Sequence, residues 1–308
     1  MVIFIQIIFL VVGFALLSKG ADIFVDGAAS LATKLGIPQL VIGLTIVAMG
    51  TSAPEAAVSI NAAIKGNADI TIGNVVGSNI INVLIILGIS AIIVPLTVKK
   101  SVIKVDIPVM IGATILLLIF GFDGKVGLSD GIILTVVFLL YLAYLFIRTM
   151  KNSENDDNSK QMSIKKSVLF SILGLVLIIF GSDITVSAAT LIAKYIGLSE
   201  RFIALTIVAL GTSLPELFTS ITAARKGKAD IAIGNIVGSN IFNILFVVAL
   251  SALIIPVPFQ PNFIKDTLVV LFSGVLLFVY CLPKKRLNRV GGIIMILCYC
   301  AYFAFVLI

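Results

Sequence analysis

Apolar runs of roughly twenty residues or more, each closed by a short polar cluster, alternate along almost the whole 308-residue chain. A helix that crosses the hydrocarbon core of a bilayer takes about 20 predominantly apolar residues. The pattern predicts ten such helices, at about 3–33, 38–64, 69–95, 101–121, 127–148, 164–194, 199–225, 230–255, 263–282 and 289–307. Between them stand residues that end helices: Gly36-Ile37-Pro38, Lys65-Gly66-Asn67, Lys99-Lys100, Phe122-Asp123-Gly124, Gly197 to Arg201, Lys226-Gly227-Lys228, the Pro256/Pro258/Pro261 cluster and Lys284-Lys285-Arg286. The polar run from Lys151 to Ser163 reads as the one linker, disordered by composition. Met1-Val2-Ile3-Phe4 lacks the basic start of a signal peptide and reads as the beginning of the first span.

Composition agrees: 60% of residues are hydrophobic, 12% are charged and the mean hydropathy is +1.21, which leaves no room for a separate soluble domain. A net charge of +7 would suit nucleic acid, but the Lys and Arg residues lie almost entirely between the hydrophobic runs, where they set topology. Alternate loops divide them 16 to 5, with Lys34, Lys99, Lys100, Lys104, Arg148, Lys226 and Lys284 among the larger set. Short cytoplasmic loops retain basic residues. The division therefore predicts a plasma-membrane protein with both termini outside and the linker in the cytoplasm. Cys281, Cys298 and Cys300 have no metal-site spacing and read as packing residues. Histidine is absent, which excludes imidazole metal sites and His-based hydrolysis.

The strongest signal is internal. At a constant offset of 161 residues, Val41 to Pro95 aligns without a gap on Phe202 to Pro256, with 34 identities in 55 positions. Upstream, Gly13, Gly20, Asp22 and Gly36 fall on Gly174, Gly181, Asp183 and Gly197. The expected fold is an all-α integral membrane protein of two five-helix repeats, residues 1–150 and 164–308, joined by the linker at 151–163. Because five is odd, the second repeat enters the membrane from the opposite side. Inverted repeats of this kind place transport sites at the midplane, where the halves meet.

Each repeat carries Gly-Thr-Ser-x-Pro-Glu inside an apolar run, from Gly50 to Glu55 and from Gly211 to Glu216. Pro54 has no N–H and its ring collides with the carbonyl four residues back, so a kink or break is expected around Gly50 and Thr51, at a cost of about 3 kcal/mol. The carbonyls freed at Ala48, Gly50 and Thr51 need partners, and irregular backbone survives at this depth only where it lines a cavity or is covered by protein. Glu55 follows Thr51 by four residues and shares its face. A carboxylate near mid-bilayer costs about 2.5–3.5 kcal/mol on insertion scales and is usually functional. Ala209, Gly211, Thr212, Ser213, Pro215 and Glu216 repeat the device.

The next helix of each half carries Gly-Asn-x-Val-Gly-Ser-Asn-x-x-Asn, from Gly73 to Asn82 and from Gly234 to Asn243. Ser78 and Asn82 form one polar stripe at i, i+4, as do Ser239 and Asn243. The glycines suit close helix packing, and the stripes suit either interhelical hydrogen bonds or a site. Pooled, the halves offer two carboxylates, hydroxyls, amide oxygens and free carbonyls, with no sulfur or imidazole. All-oxygen sets suit hard cations; calcium takes six to eight oxygens in flexible geometry, whereas magnesium resists losing its water. Sodium is also satisfied by carbonyls and hydroxyls. Two negative charges neutralise one divalent ion or nearly balance several monovalent ones.

Taken together, GTSAPE and GTSLPE, each followed by GN-x-VGSN-x-x-N, resemble the α-repeats of the sodium/calcium exchangers of the cation/calcium exchanger superfamily, over the whole transmembrane chain. The resemblance implies ten helices with the repeats face to face and a secondary active antiporter that exchanges sodium for calcium by alternating access, usually three sodium ions per calcium. Carried onto these residues, it implies Glu55 and Glu216 as central ligands. Backbone carbonyls at Ala48, Thr51, Ala209 and Thr212, with the side chains of Ser52, Ser213, Ser78 and Ser239, would complete the sodium sites, and Asn82 and Asn243 would line the middle. Some relatives, potassium-dependent exchangers among them, carry Asp at the position of Asn243; Asn there weakens a potassium-coupled reading. Proton/calcium exchangers typically lack the GTS-x-PE form, and the large cytoplasmic calcium-sensing insert of animal exchangers is missing.

The expectation is therefore an electrogenic calcium-extruding antiporter rather than an enzyme, with Ca2+ and Na+ as substrates, no cofactor, no nucleic acid and no obligate protein partner. Proton- or potassium-coupled antiport and a cation channel are the alternatives. An intramembrane hydrolase is disfavoured because its acids would lack the GxGD pattern of aspartyl proteases. The long first helix of each repeat is the candidate sliding gate. Asp22 and Asp183 on those helices read as capping or interhelical groups, and Asp106 and Asp266, close to Lys104 and Lys265, read as interfacial charges.

Overall fold

The computed structural model describes residues 2–151, 162–197 and 209–307. Its helices are α1 (Val2–Leu35), α2 (Gln39–Thr51), α3 (Ala53–Ile64), α4 (Asp69–Ile93), α5 (Val102–Gly121), α6 (Leu128–Lys151), α7 (Ile164–Tyr195), α8 (Ala209–Thr212), α9 (Leu214–Arg225), α10 (Ala229–Ile254), α11 (Pro261–Lys284) and α12 (Arg289–Leu307). Eight of these are long and apolar enough to cross a membrane, and α2 with α3, bent by 50°, makes up to nine. Helix is what the bilayer requires of a spanning chain, since no water is present to satisfy backbone N–H and C=O groups. The expected linker residues 152–161, and the start of the expected seventh span at 199–208, lie outside the described residues.

Among the described residues, four two-residue strands, which no periodicity announces, sit at the helix ends: β1 (Leu96–Thr97), β2 (Lys125–Val126), β3 (Val257–Pro258) and β4 (Arg286–Leu287). They pair across the halves. β1 runs antiparallel to β4 with Leu96 opposite Leu287, and β2 antiparallel to β3 with Val126 opposite Val257. Adding 161 to Leu96 gives Val257 and adding 161 to Val126 gives Leu287, so exchanging the halves turns one pair into the other. Flanking bonds obey the same rule: the Val98 N–H donates to the Lys285 carbonyl and the Phe259 N–H to the Gly124 carbonyl, both at 2.8 Å. Contacts of this reciprocal form are what a two-fold relation between the halves produces.

The centre is α4 and α10. Their apolar windows are 72% and 83% buried within the protein, against 17% for α1 and for α12, so the helices carrying the Gly-Asn-x-Val-Gly-Ser-Asn motif form the hub and the others face outward. Along the side of this hub, α1 and α7 lie against each other. Small residues let their backbones touch. A Cβ at Gly20 would lie 2.9 Å from the Gly174 carbonyl oxygen, and one at Gly181 would lie 2.9 Å from the Gly13 carbonyl oxygen.

Asp106 departs from the interfacial reading. It is fully buried, accepts from the Tyr141 hydroxyl at 3.1 Å and is ion-paired with Arg148 at 3.1 Å. Tyr302 donates to Asp266 at 3.0 Å in the second half. The tyrosines are 161 residues apart and the aspartates 160, and the extra residue of the first half falls in a wide π-helical turn, Val102–Asp106. The local neighbours Lys104 and Lys265 are poor guides here, because Arg148 reaches Asp106 from another helix.

Candidate cation site

The helix break falls at Ser52, between α2 and α3, with φ −84° and ψ 9°; Ser213 repeats it between α8 and α9 with φ −89° and ψ 4°. These are bridge-region conformations. The break is one or two residues later than proline chemistry alone suggests. The Ser52 N–H still donates to the Ala48 carbonyl at 3.0 Å, so that carbonyl is not freed as expected; Pro54 instead withholds the donor that the Gly50 carbonyl would use. The Ala48 carbonyl also accepts from the Ser239 hydroxyl at 3.4 Å, reaching across from the other half, and lies 3.3 Å from the Thr51 hydroxyl oxygen.

Just past each break, the first turn of α3 presents Glu55 and the first turn of α9 presents Glu216, both buried. Ser52 Oγ donates to Glu216 Oε1 at 2.7 Å, so the first half's break touches the second half's carboxylate. Ser78 Oγ stands 3.5 Å from Glu55 Oε1. Asn74 Nδ2 donates to the Glu55 carbonyl at 3.0 Å and to Ser59 Oγ at 2.9 Å, and Asn235 Nδ2 donates to the Glu216 carbonyl at 3.4 Å and to Ser220 Oγ at 3.0 Å. Those amides fix the backbone that carries the acids. Thr51 Oγ1 donates to Asn235 Oδ1 at 3.0 Å, again between halves.

Asn82 and Asn243 each open a π-helical turn, Asn82–Leu87 and Asn243–Val248. Wide turns of this kind cluster at functional sites. Asn82 Nδ2 donates to Asn240 Oδ1 and Asn243 Nδ2 to Asn79 Oδ1, both at 3.0 Å, while the amides of Asn79 and Asn240 each donate to the other's carbonyl at 3.2 Å. With their nitrogens committed, Asn82 and Asn243 are left with carbonyl oxygens free to accept.

Buried polar atoms are almost always partnered, because an unmet one costs about 1–3 kcal/mol. Among the described residues, Glu55 Oε2, Glu216 Oε2, Asn82 Oδ1, Asn243 Oδ1 and Ser213 Oγ are buried with no hydrogen-bond partner, as are the hydroxyls of Ser90, Thr219, Ser251 and Thr267. The four Glu and Asn oxygens are pure acceptors, and no donor of the described residues meets them. A desolvated cation is the partner such a set lacks. Among the described residues no three Asp, Glu, His or Cys groups gather, so only two acids contribute and the rest of the set is neutral.

Of the residues expected at the site, Ala48, Thr51, Ser52, Glu55, Ser78, Asn82, Ser213, Glu216, Ser239 and Asn243 belong to this network or to its unpartnered set. Thr212 ends α8 beside Ser213, and the backbone of Ala209 begins that helix. The bracing amides Asn74, Asn79, Asn235 and Asn240 were not singled out by the i, i+4 stripe, although both motif copies contain them.

The sodium/calcium exchanger protein family model matches the chain twice, over residues 5–147 and 166–308. The two matches are displaced by the same 161 residues as the internal repeat. The sodium/calcium exchanger MaX1 of Methanosarcina acetivorans is 31% identical, with 97% of each chain covered. The inner membrane protein YrbG of Escherichia coli is 38% identical over 88% of this chain and 87% of that one. A solved structure of the sodium-calcium exchanger NCX_Mj, soaked with zero Na+ and Ca2+, superposes with a TM-score of 0.87 at 32% identity, covering 99% of both chains.

Proposed function

The chain belongs to the sodium/calcium exchanger protein family, and on that premise we propose that it is a secondary active antiporter in which inward sodium movement drives calcium outward across the plasma membrane. The observation that carries the reading is the set of buried, unpartnered oxygens of Glu55, Glu216, Asn82, Asn243 and Ser213 between the two halves. Glu55 and Glu216 are its charged ligands. Ser52, Ser78, Ser213 and Ser239, with carbonyls at Ala48, Thr51, Ala209 and Thr212, supply the neutral oxygens that sodium ions use, and Asn82 and Asn243 complete the middle.

Ten spans in two inverted five-helix repeats, residues 1–150 and 164–308 about the linker at 151–163, account for the reciprocal contacts. The basic-residue division supports extracellular termini. A channel would leave a continuous path. Acids held by hydrogen bonds from both halves instead suit a site that is covered on one side at a time. Asn243 also argues against potassium coupling through an acid at that position: its amide donates to Asn79 Oδ1, and a carboxylate there would place acceptor against acceptor.

Calcium-45 uptake into sodium-loaded proteoliposomes tests the reading, with potassium-loaded and proton-gradient vesicles as comparisons. Uptake driven by sodium alone is expected. Equal uptake without a sodium gradient would overturn sodium coupling. Glu55→Gln and Glu216→Gln should each abolish uptake while the protein still elutes as a folded species; normal flux in both would sink the site assignment.

A further inference from the structure

Lys226 follows the last residue of α9, and its ammonium sits against α1: Nζ is 2.9 Å from the Asp22 carbonyl oxygen, 2.7 Å from Asp26 Oδ1 and 3.3 Å from Asp22 Oδ1. Asp22 and Asp26 are one helical turn apart, so a single group with three N–H donors meets both carboxylates and a backbone oxygen. The helices beneath it are packed too, with Phe14 of α1 against Phe218 of α9 at 6.0 Å between ring centroids.

Displacement by 161 residues takes Lys226 to Lys65, Asp22 to Asp183 and Asp26 to Ser187. The backbone is the same in both copies. Lys65 and Lys226 both close their helix, with φ −83° and −82°, and the following glycines, Gly66 and Gly227, both take left-handed φ of 79° and 72°. The side chains are not the same. Among the described residues, Asp183 and Lys65 form no ion pair, and α7 makes no contact with α3 comparable to that of α1 with α9. In place of a lysine, Asp183 and Ser187 line an open cavity of about 310 Å³ together with Gln6 and Phe9.

One device thus stands closed on the first half and open on the second. We propose that Lys226 is a positioning residue that latches α1 to α9 in one access state, and that Lys65 docks on Asp183 and Ser187 in the opposite state. This rests on the alternating-access reading above. The two latches are unequal, since the first holds two carboxylates and the second one carboxylate and a hydroxyl, so the state seen here is the favoured one. Partly exposed ion pairs are individually weak, so losing the latch should shift the populations about three- to fivefold rather than unfold the protein.

The readout is independent of which ions are carried. Ser187→Cys, in full-length protein with Cys281, Cys298 and Cys300 replaced by Ala and shown still to transport calcium, is labelled in membrane vesicles by an impermeant maleimide from the side bearing the N-terminal end of α1. Fast labelling is expected. Because labelling follows the fraction of the favoured state, adding Lys226→Gln should slow it by up to about two- to threefold, Lys226→Arg should restore it, and Lys65→Gln should not slow it. Unchanged labelling in Lys226→Gln, or equal slowing by Lys65→Gln and Lys226→Gln, would overturn the latch. Loss of transport coupling with the labelling pattern intact would instead tell against the sodium/calcium reading.

Discussion

Ser52 and Ser78 hold the two acids with unequal grip, and the difference decides how their removal should read out. The Ser52 bond to Glu216 is 2.7 Å, a charge-assisted contact, whereas Ser78 stands 3.5 Å from Glu55, at the edge of hydrogen bonding. Bonds to charged groups contribute about 1.5–3 kcal/mol, and each 1.4 kcal/mol is tenfold. Ser52→Ala should therefore weaken the sodium dependence of calcium uptake about tenfold or more, and Ser78→Ala only about two- to threefold; the reverse order would contradict this geometry. Asn243→Leu removes one free oxygen and strands Asn79 Oδ1, so its melting temperature in a size-exclusion thermostability assay should fall along with calcium uptake. Glu55 and Glu216 were legible in the sequence because a carboxylate in an apolar run has few structural explanations. Asn79 and Asn240 were not, because what makes them matter is that each meets the other's backbone across the halves, and no local rule expresses that.

The broken span α2–α3 is an element whose bend follows from one missing N–H. Pro54→Ala, and likewise Pro215→Ala, restores a donor for the carbonyl four residues back and removes the ring clash. Stability should hold or rise slightly while calcium uptake falls about tenfold, because a straighter helix re-aims Glu55 or Glu216. A variant that transports normally would show that Ser52 and its neighbours hold the bend without proline. At the crossing of α1 and α7 the constraint is steric. A Cβ at Gly20 already meets the Gly174 carbonyl oxygen, so Gly20→Leu has no rotamer that avoids α7, and overpacking of this kind costs about 1–3 kcal/mol. The break and the glycine crossing could be anticipated because proline and glycine act through their own backbone. The π-helical turns at Asn82 and Asn243 could not: a wide turn changes no composition, and its position is set by what the two halves must fit between them. The two-residue strands are likewise too short to show a period.

The two-fold relation belongs to the whole molecule, and it was readable because the offset of 161 residues is constant through the central motifs and recurs in the strand pairs and in the family matches. Its consequence for exchange is electrical. Each half brings one carboxylate to the proposed site, and among the described residues no cation pairs with either acid, so one calcium ion would leave the site neutral and three sodium ions would leave it at +1. Under the proposed exchange of three sodium ions for one calcium ion, one net charge would cross the membrane per cycle. A unit charge in 100 mV is worth about 2.3 kcal/mol, close to fiftyfold in an equilibrium constant. In proteoliposomes with a fixed sodium gradient, imposing about 100 mV should change the steady-state calcium ratio by about that factor. The potential is set by potassium with valinomycin in one series and by a proton gradient with a protonophore in another, so that neither ion is common to both. A ratio indifferent to voltage in both series would mean two sodium ions per calcium. A response in the proton series alone would assign the coupling to protons.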